Sequence, residues 1–141
     1  MTASGQASET QVGEADDVRT VDVLVVGGGP AGLSAAEAAA KAGAKVAVLE
    51  RQKEIGYPVH TSGGSWIADM KALGIPSDLY HPIKHVTFLS PNREARFEYD
   101  DPVCCVLDVR AVYQHLASRA IQAGATLHPN SPVEGPIVED G

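Results

Sequence analysis

The six residues Gly27-Gly28-Gly29-Pro30-Ala31-Gly32 constrain this chain more than any other feature. They directly follow VDVLVV, Val21 to Val26, a short apolar run rich in β-branched residues that reads as a strand buried on both faces. They open an Ala-rich stretch, Pro30 to Ala42, punctuated by Gly43, which reads as a helix with a glycine stop. KVAVL, Lys45 to Leu49, is a second buried strand. Strand, tight turn, helix and strand form one β-α-β unit of about 30 residues. The sequence therefore predicts an α/β fold built on a parallel sheet.

The glycines at positions 27, 29 and 32 have the GxGxxG spacing. Alone that spacing is weak, but its place between a strand and a helix is what a dinucleotide site requires. Gly27 permits the tight turn out of the strand. Gly29 lets a pyrophosphate approach the backbone, and Gly32 lets the helix pack close to the strand. Pro30 fits the first helical turn, where its missing N–H costs nothing. Ala31 and Gly32 follow it at the helix N-terminus, which offers free N–H groups and a positive dipole end to an anion. Ala36 is a small residue on the same helix face as Gly32. Glu50 closes the second strand and can accept hydrogen bonds from an adenosine ribose, which disfavours a 2′-phosphate there. The bland alternative is a Gly-rich turn with a solvated Glu50. The agreement of all these positions at fixed spacing outweighs it, although spacing alone does not separate FAD from NAD.

Beyond this unit, Arg51 to Ser65 reads as a loop and Trp66 to Leu73 as a short helix stopped by Gly74 and Pro76. Lys84–Ser90 and Glu94–Tyr99 are expected to pair around a Pro91-Asn92 turn, as a small antiparallel insertion that interrupts the sheet. Val103 to Leu107 is another apolar run. Asp108 fits an N-cap. Val112, Leu116, Ala120 and Ala123 then form one apolar helical face, and Gly124 ends that helix. Short strands are expected at Ala125–Leu127 and, weakened by Pro136, at Val133–Val138.

The formal net charge of −7, with basic residues scattered, argues against non-specific nucleic-acid binding. Cys104 and Cys105 are adjacent, which suits neither a disulfide framework nor a zinc site, so they read as two small strand residues. The five histidines are scattered, and Pro82 breaks the helix that would align His81 with His85, so no metal site is expected. Ser34 and Ser65 have no base at readable spacing. Trp66 reads as a packing residue. Residues 1–20 are polar and acidic without an apolar run, so they read as a disordered tail rather than a signal peptide. No stretch is long enough to span a bilayer, and a cytoplasmic location is the default expectation. The chain closes on Asp140-Gly141, a hairpin turn that needs a strand after it. That makes residues 21–141 read as the N-terminal part of a larger, truncated domain.

VVGGGPAGLSAAEAAAKAGAKVAVLER resembles the N-terminal fingerprint of FAD-dependent oxidoreductases of the glutathione-reductase-like superfamily, with a Rossmann-like FAD/NAD(P)-binding domain. VLDVRAVYQHLASRAIQAGATL resembles the segment in the hydroxylase and geranylgeranyl-reductase branch where a strand leads into an Arg and a helix ending in Gly. ERQKEIGYPVHTSGGSW is similar to the region after the second strand in geranylgeranyl reductases, except that its small-residue loop lacks the cysteine that several members carry. The resemblance implies cofactor contacts at Gly27, Gly29, Pro30, Ala31, Gly32, Glu50, Arg51, Gly63, Gly64, Arg110 and Val133, with Arg110 near the FAD phosphates or ribose. The family's downstream Gly-Asp segment and substrate-binding sheet do not occur within these 141 residues.

The implied activity is hydride transfer through bound FAD, with NAD(P)H as a candidate electron donor and an isoprenoid or lipid double bond as the substrate class. A lipid substrate would bring peripheral membrane contact. Two alternatives stay open: a flavin monooxygenase of the aromatic-hydroxylase type, and an inert nucleotide-binding module. No catalytic acid or base can be named, because in such enzymes the cofactor carries the chemistry and the protein supplies binding and orientation.

Overall fold

A computed structural model describes residues 20–138. The expected tail at 1–20, apart from its last residue, and the Asp140-Gly141 turn lie outside the described residues.

The β-α-β unit forms as the pattern requires. Strand β1 (Val23–Val26) leads through the glycine turn into helix α1 (Pro30–Lys41) and strand β2 (Val46–Leu49). β1 and β2 pair in parallel, Val23 opposite Val46 and Val26 opposite Leu49. The last strand, β8 (Thr126–His128), adds to the other side of β2, also in parallel, so β2 is central. Val46, Ala47 and Val48 are buried accordingly. β1 departs from the expected burial on both faces: Leu24 is 54% and Val26 62% exposed, and only the other face of the strand packs inward.

Between these parallel strands lie two antiparallel sheets, where one small insertion was expected. Strand β7 (Cys104–Leu107) is flanked by β3 (Gly64–Trp66) and β4 (Tyr80–Ile83). The hairpin β5 (His85–Ser90) and β6 (Arg93–Glu98) forms a sheet of its own, with Ser90 opposite Arg93 across the expected Pro91-Asn92 turn. β4 is invisible to strand propensity because it contains Pro82. Its position at a sheet edge explains how the proline is tolerated. A short helix, α2 (Ile67–Ala72), falls inside the expected range. Residues 131–138 form no strand, unlike the expectation for Val133–Val138.

Helix α3 (Val109–Gln122) starts at Asp108, whose carboxylate accepts the Ala111 N–H at 3.0 Å, as its N-cap position predicts. Its buried face is Val112, Leu116 and Ala120. Small residues set the packing of the two long helices: Ala36 of α1 and Ala120 of α3 are fully buried in one cluster with Val46 and Val48. A second cluster gathers Leu33, Ile55, Ile67, Met70, Cys105, Val112 and Leu116. Burying one such leucine contributes about 2 kcal/mol.

One charged group joins this interior. Glu37 of α1 is buried and accepts from Lys41 Nζ (2.5 Å) and Arg119 Nη2 (2.9 Å to Oε2). Arg119 Nη1 also donates to the Leu73 carbonyl at the end of α2 (2.7 Å), so one guanidinium ties three helices together. The Lys41 hydrogen bond, opposed by burial and helped by Arg119, holds the Glu37 carboxyl below its ordinary value.

Candidate functional site

The site is built at the carboxyl ends of β1 and β2. Gly27 leaves β1 with φ +106°, a left-handed conformation that favours glycine. Gly29 is the N-cap of α1 and Pro30 its first residue. No side chain caps this end and no acidic residue sits in the first turn. Its N–H groups and the positive dipole end are therefore available to an anion.

The three motif glycines serve different purposes, and a fourth joins them. A Cβ on Gly32 would collide with the Gly27 carbonyl oxygen and lie 3.1 Å from Val25 Cγ1, so Gly32 is required by the fold itself. A Cβ on Gly29 would meet nothing within 4 Å, so the space over Gly29 is open to a ligand. Gly28, which the spacing treats as free to vary, is buried; its Cβ would collide with Ile55 Cδ1 and come 3.2 Å from Glu50 Oε2.

Glu50 sits where the sequence placed it, at the end of β2. Its backbone is held on both sides, with its N–H donating to the His128 carbonyl (3.0 Å) and its carbonyl accepting from the Ser131 N–H (2.8 Å). The carboxylate accepts the Gly28 N–H at Oε2 (2.7 Å) and the Gln52 N–H at Oε1 (2.8 Å). Two backbone bonds leave lone pairs for further donors, since a carboxylate offers about four acceptor positions.

A cleft of about 200 Å³ opens over this floor, lined by Gly28, Gly29, Glu50, Arg51, Gln52, Glu54, Gly56, Tyr57, Pro58, His60 and Tyr113. Of the expected residues, Gly29, Glu50 and Arg51 line it. Arg110 stands beside it, donating through Nε and Nη2 to Glu54 Oε1 (2.6 and 2.5 Å). Gly63, Gly64 and Val133 are not in this lining. Gly63 is buried against Leu107 and Val109, with its carbonyl accepting the Leu107 N–H at 2.9 Å. Gly64 is paired with Val106 in β3, and Val133 lies in the segment after β8. The sequence reading missed Gln52, Glu54, Tyr57 and Tyr113. Only the Ile55-Gly56 pair marked their neighbourhood.

The model of the FAD binding domain family matches residues 22–102, more than half of the chain. The chain belongs to that family. The FAD binding domain seen here is 34% identical over 132 residues to a digeranylgeranylglycerophospholipid reductase of Thermoplasma acidophilum, across 88% of this chain and 33% of the relative. It therefore spans about a third of the length of that curated relative. Among solved structures it is similar to a geranylgeranyl bacteriochlorophyll reductase-like protein of Thermoplasma acidophilum, with TM-score 0.76 and 35% identity over 86% of this chain and 32% of the other. It also shares the fold of p-nitrophenol 4-monooxygenase PnpA of Pseudomonas putida, with TM-score 0.61 and 22% identity over 76% of this chain and 31% of that one.

The residues of this FAD binding domain fit the ADP part of FAD. The space above Gly29 admits a pyrophosphate, the uncapped start of α1 faces it with N–H groups, and the Glu50 carboxylate is fixed one strand away for a ribose.

Two further features are settled by geometry. Cys104 and Cys105 lie in β7, where side chains alternate between faces; Cys104 is half-buried and Cys105 buried. Burial, together with the neighbouring Cys104, pushes the Cys105 thiol up. Trp66, expected to pack inside, is 61% exposed in β3 beside Cys104 and Val106, in an open apolar groove.

Proposed function

We propose that this chain supplies the ADP-binding half of a FAD-dependent reductase that saturates double bonds of an isoprenoid lipid. The observation that carries the reading is the cradle of Gly28, Gly29 and Glu50 at the start of α1, in a chain about one-third identical to a digeranylgeranylglycerophospholipid reductase. In this reading Gly27, Gly29, Pro30, Ala31 and Gly32 surround the pyrophosphate with backbone alone, and Glu50 accepts from the ribose hydroxyls. Arg51 and Arg110 bring positive charge to the phosphates at the rim. Gly63, Gly64 and Val133 are assigned to the part of the cofactor beyond the cleft.

When bound, the cofactor accepts and donates hydride, with NAD(P)H proposed as the electron source. The residues in hand bind and orient it: the α1 N-terminus stabilises the diphosphate, and Glu50 selects an unphosphorylated ribose by repelling a 2′-phosphate. A lipid substrate implies peripheral contact with a membrane surface. None of the described helices is long and apolar enough to cross a membrane. The monooxygenase alternative rests on likeness of fold alone, at 22% identity, and ranks second.

The test is a visible absorption spectrum of the purified full-length protein, with mass analysis of the cofactor released on denaturation. Bound FAD, together with reduction of a geranylgeranylated lipid by the reduced enzyme, is the expected result. A protein that neither contains nor takes up FAD overturns the reading. Substrate-dependent oxygen consumption with NAD(P)H moves it to the monooxygenase.

A further inference from the structure

A carboxylate facing a site for a diphosphate needs an explanation, because like charges in one cleft repel. Glu54 lines the same cleft as Gly28 and Gly29. Its Oε1 is a convergence point: Arg110 Nε and Gln114 Nε2 both donate to it at 2.6 Å, and Arg110 Nη2 lies 2.5 Å away. Both donors belong to α3, so this one oxygen fastens the loop after β2 to that helix across more than fifty residues of sequence.

Two neighbours complete the arrangement. The Tyr57 ring lies beneath the Arg110 guanidinium, with Cζ 5.7 Å from the ring centroid, a cation–π distance. Gly56 has φ +78°, and a Cβ there would fall 2.9 Å from Tyr113 Cβ and 3.2 Å from the Arg110 Cα, so the loop lies directly on the first turns of α3. Arg110 is thus gripped on one edge by Glu54 and on one face by Tyr57. The Glu54 bonds use Nε and Nη2 and leave Nη1 without a partner among the described residues.

We propose that Glu54 is a positioning residue for the cofactor. It neutralises its own charge against Arg110 and fixes the guanidinium at the rim of the cleft, so that Nη1 meets a phosphate already oriented. The inference rests on the proposed FAD site and adds a residue to it. It also predicts a sign. As an isolated negative charge Glu54 would weaken diphosphate binding; acting through Arg110, it strengthens it.

The test uses full-length protein stripped of flavin, with Glu54→Asp, Arg110→Ala and the double variant. Asp keeps the charge and withdraws the carboxylate by one methylene. FAD affinity is read by flavin-fluorescence titration, and that of adenosine, which has no phosphate, by competition. For an exposed pair of this kind, Glu54→Asp is expected to lose about fivefold in FAD affinity. The double variant should fall within roughly twofold of Arg110→Ala, because both act through one contact. Adenosine affinity should stay at the wild-type value. Wild-type FAD affinity in Glu54→Asp, additive losses in the double variant, or adenosine loss in step with FAD each overturn the proposal. Wild-type protein that takes up no FAD overturns the site reading itself.

Discussion

The backbone N–H of Gly28 donates to the carboxylate of Glu50 across 2.7 Å of space and 22 residues of sequence. This bond closes the β-α-β unit beside the cleft proposed for the cofactor. It joins the glycine turn to the strand end, so the two halves of the proposed ADP site are held in one geometry. A ribose hydroxyl donating to this carboxylate, as proposed, makes a hydrogen bond to a charged group, worth about 1.5–3 kcal/mol. Glu50→Ala is therefore expected to lower FAD affinity about tenfold or more. Equilibrium dialysis against FAD measures it, and an unchanged dissociation constant would remove Glu50 from the site.

Gly29 and Gly32 should separate binding from folding. A side chain on Gly29 meets open space, and its φ of −81° and ψ of 175° suit any residue, so Gly29→Val is expected to keep the melting temperature of flavin-free wild type while losing flavin. A side chain on Gly32 strikes the Gly27 carbonyl, so Gly32→Ala is expected to cost about 1–3 kcal/mol of stability. Thermal melts and flavin content on both variants decide the matter. Undiminished flavin in Gly29→Val defeats the assignment.

Glu37 predicts an acid-sensitive clamp between α1 and α3. Its folded carboxyl titrates below the ordinary value of 4.5, so its contribution is fully present above that pH and is lost as pH falls through the folded value. Glu37→Gln should accordingly be less stable than wild type at pH 6, with the gap closing as pH is lowered below about 4.5. Urea midpoints at pH 6 and pH 3.5 measure this, and a gap independent of pH would contradict it.

The two cysteines should react differently. Alkylation at neutral pH is expected at Cys104 and not at Cys105, which is buried with a raised thiol. Mass mapping of the alkylated peptide in native and urea-unfolded protein reads the difference. Equal labelling in the native state would show that β7 is not packed as described.

Much of this was legible in the sequence because it is local. The strand–glycine–helix–strand order, the Asp108 cap and the Val112-Leu116-Ala120 stripe each follow from the conformational needs of residues within a few positions of one another. The place of Glu50 at the end of β2 was legible for a related reason: the crossover has a nearly fixed length, so counting along the chain reaches that strand end.

What counting could not reach is whatever depends on a partner distant in sequence. β4 exists because Tyr80–Ile83 finds an edge of β7, and its own composition argues against a strand. The exposure of Leu24, Val26 and Trp66 is set by what packs over each sheet face, a property that apolar side chains do not encode one by one. Glu54 looked like any loop acid until α3 placed Arg110 and Gln114 on it. The sequence by itself determined that a dinucleotide cradle forms, since glycine conformation and helix polarity act over a few bonds. Only the tertiary structure decided which charges face that cradle, since electrostatic pairing depends on distances that exist after the chain has closed on itself.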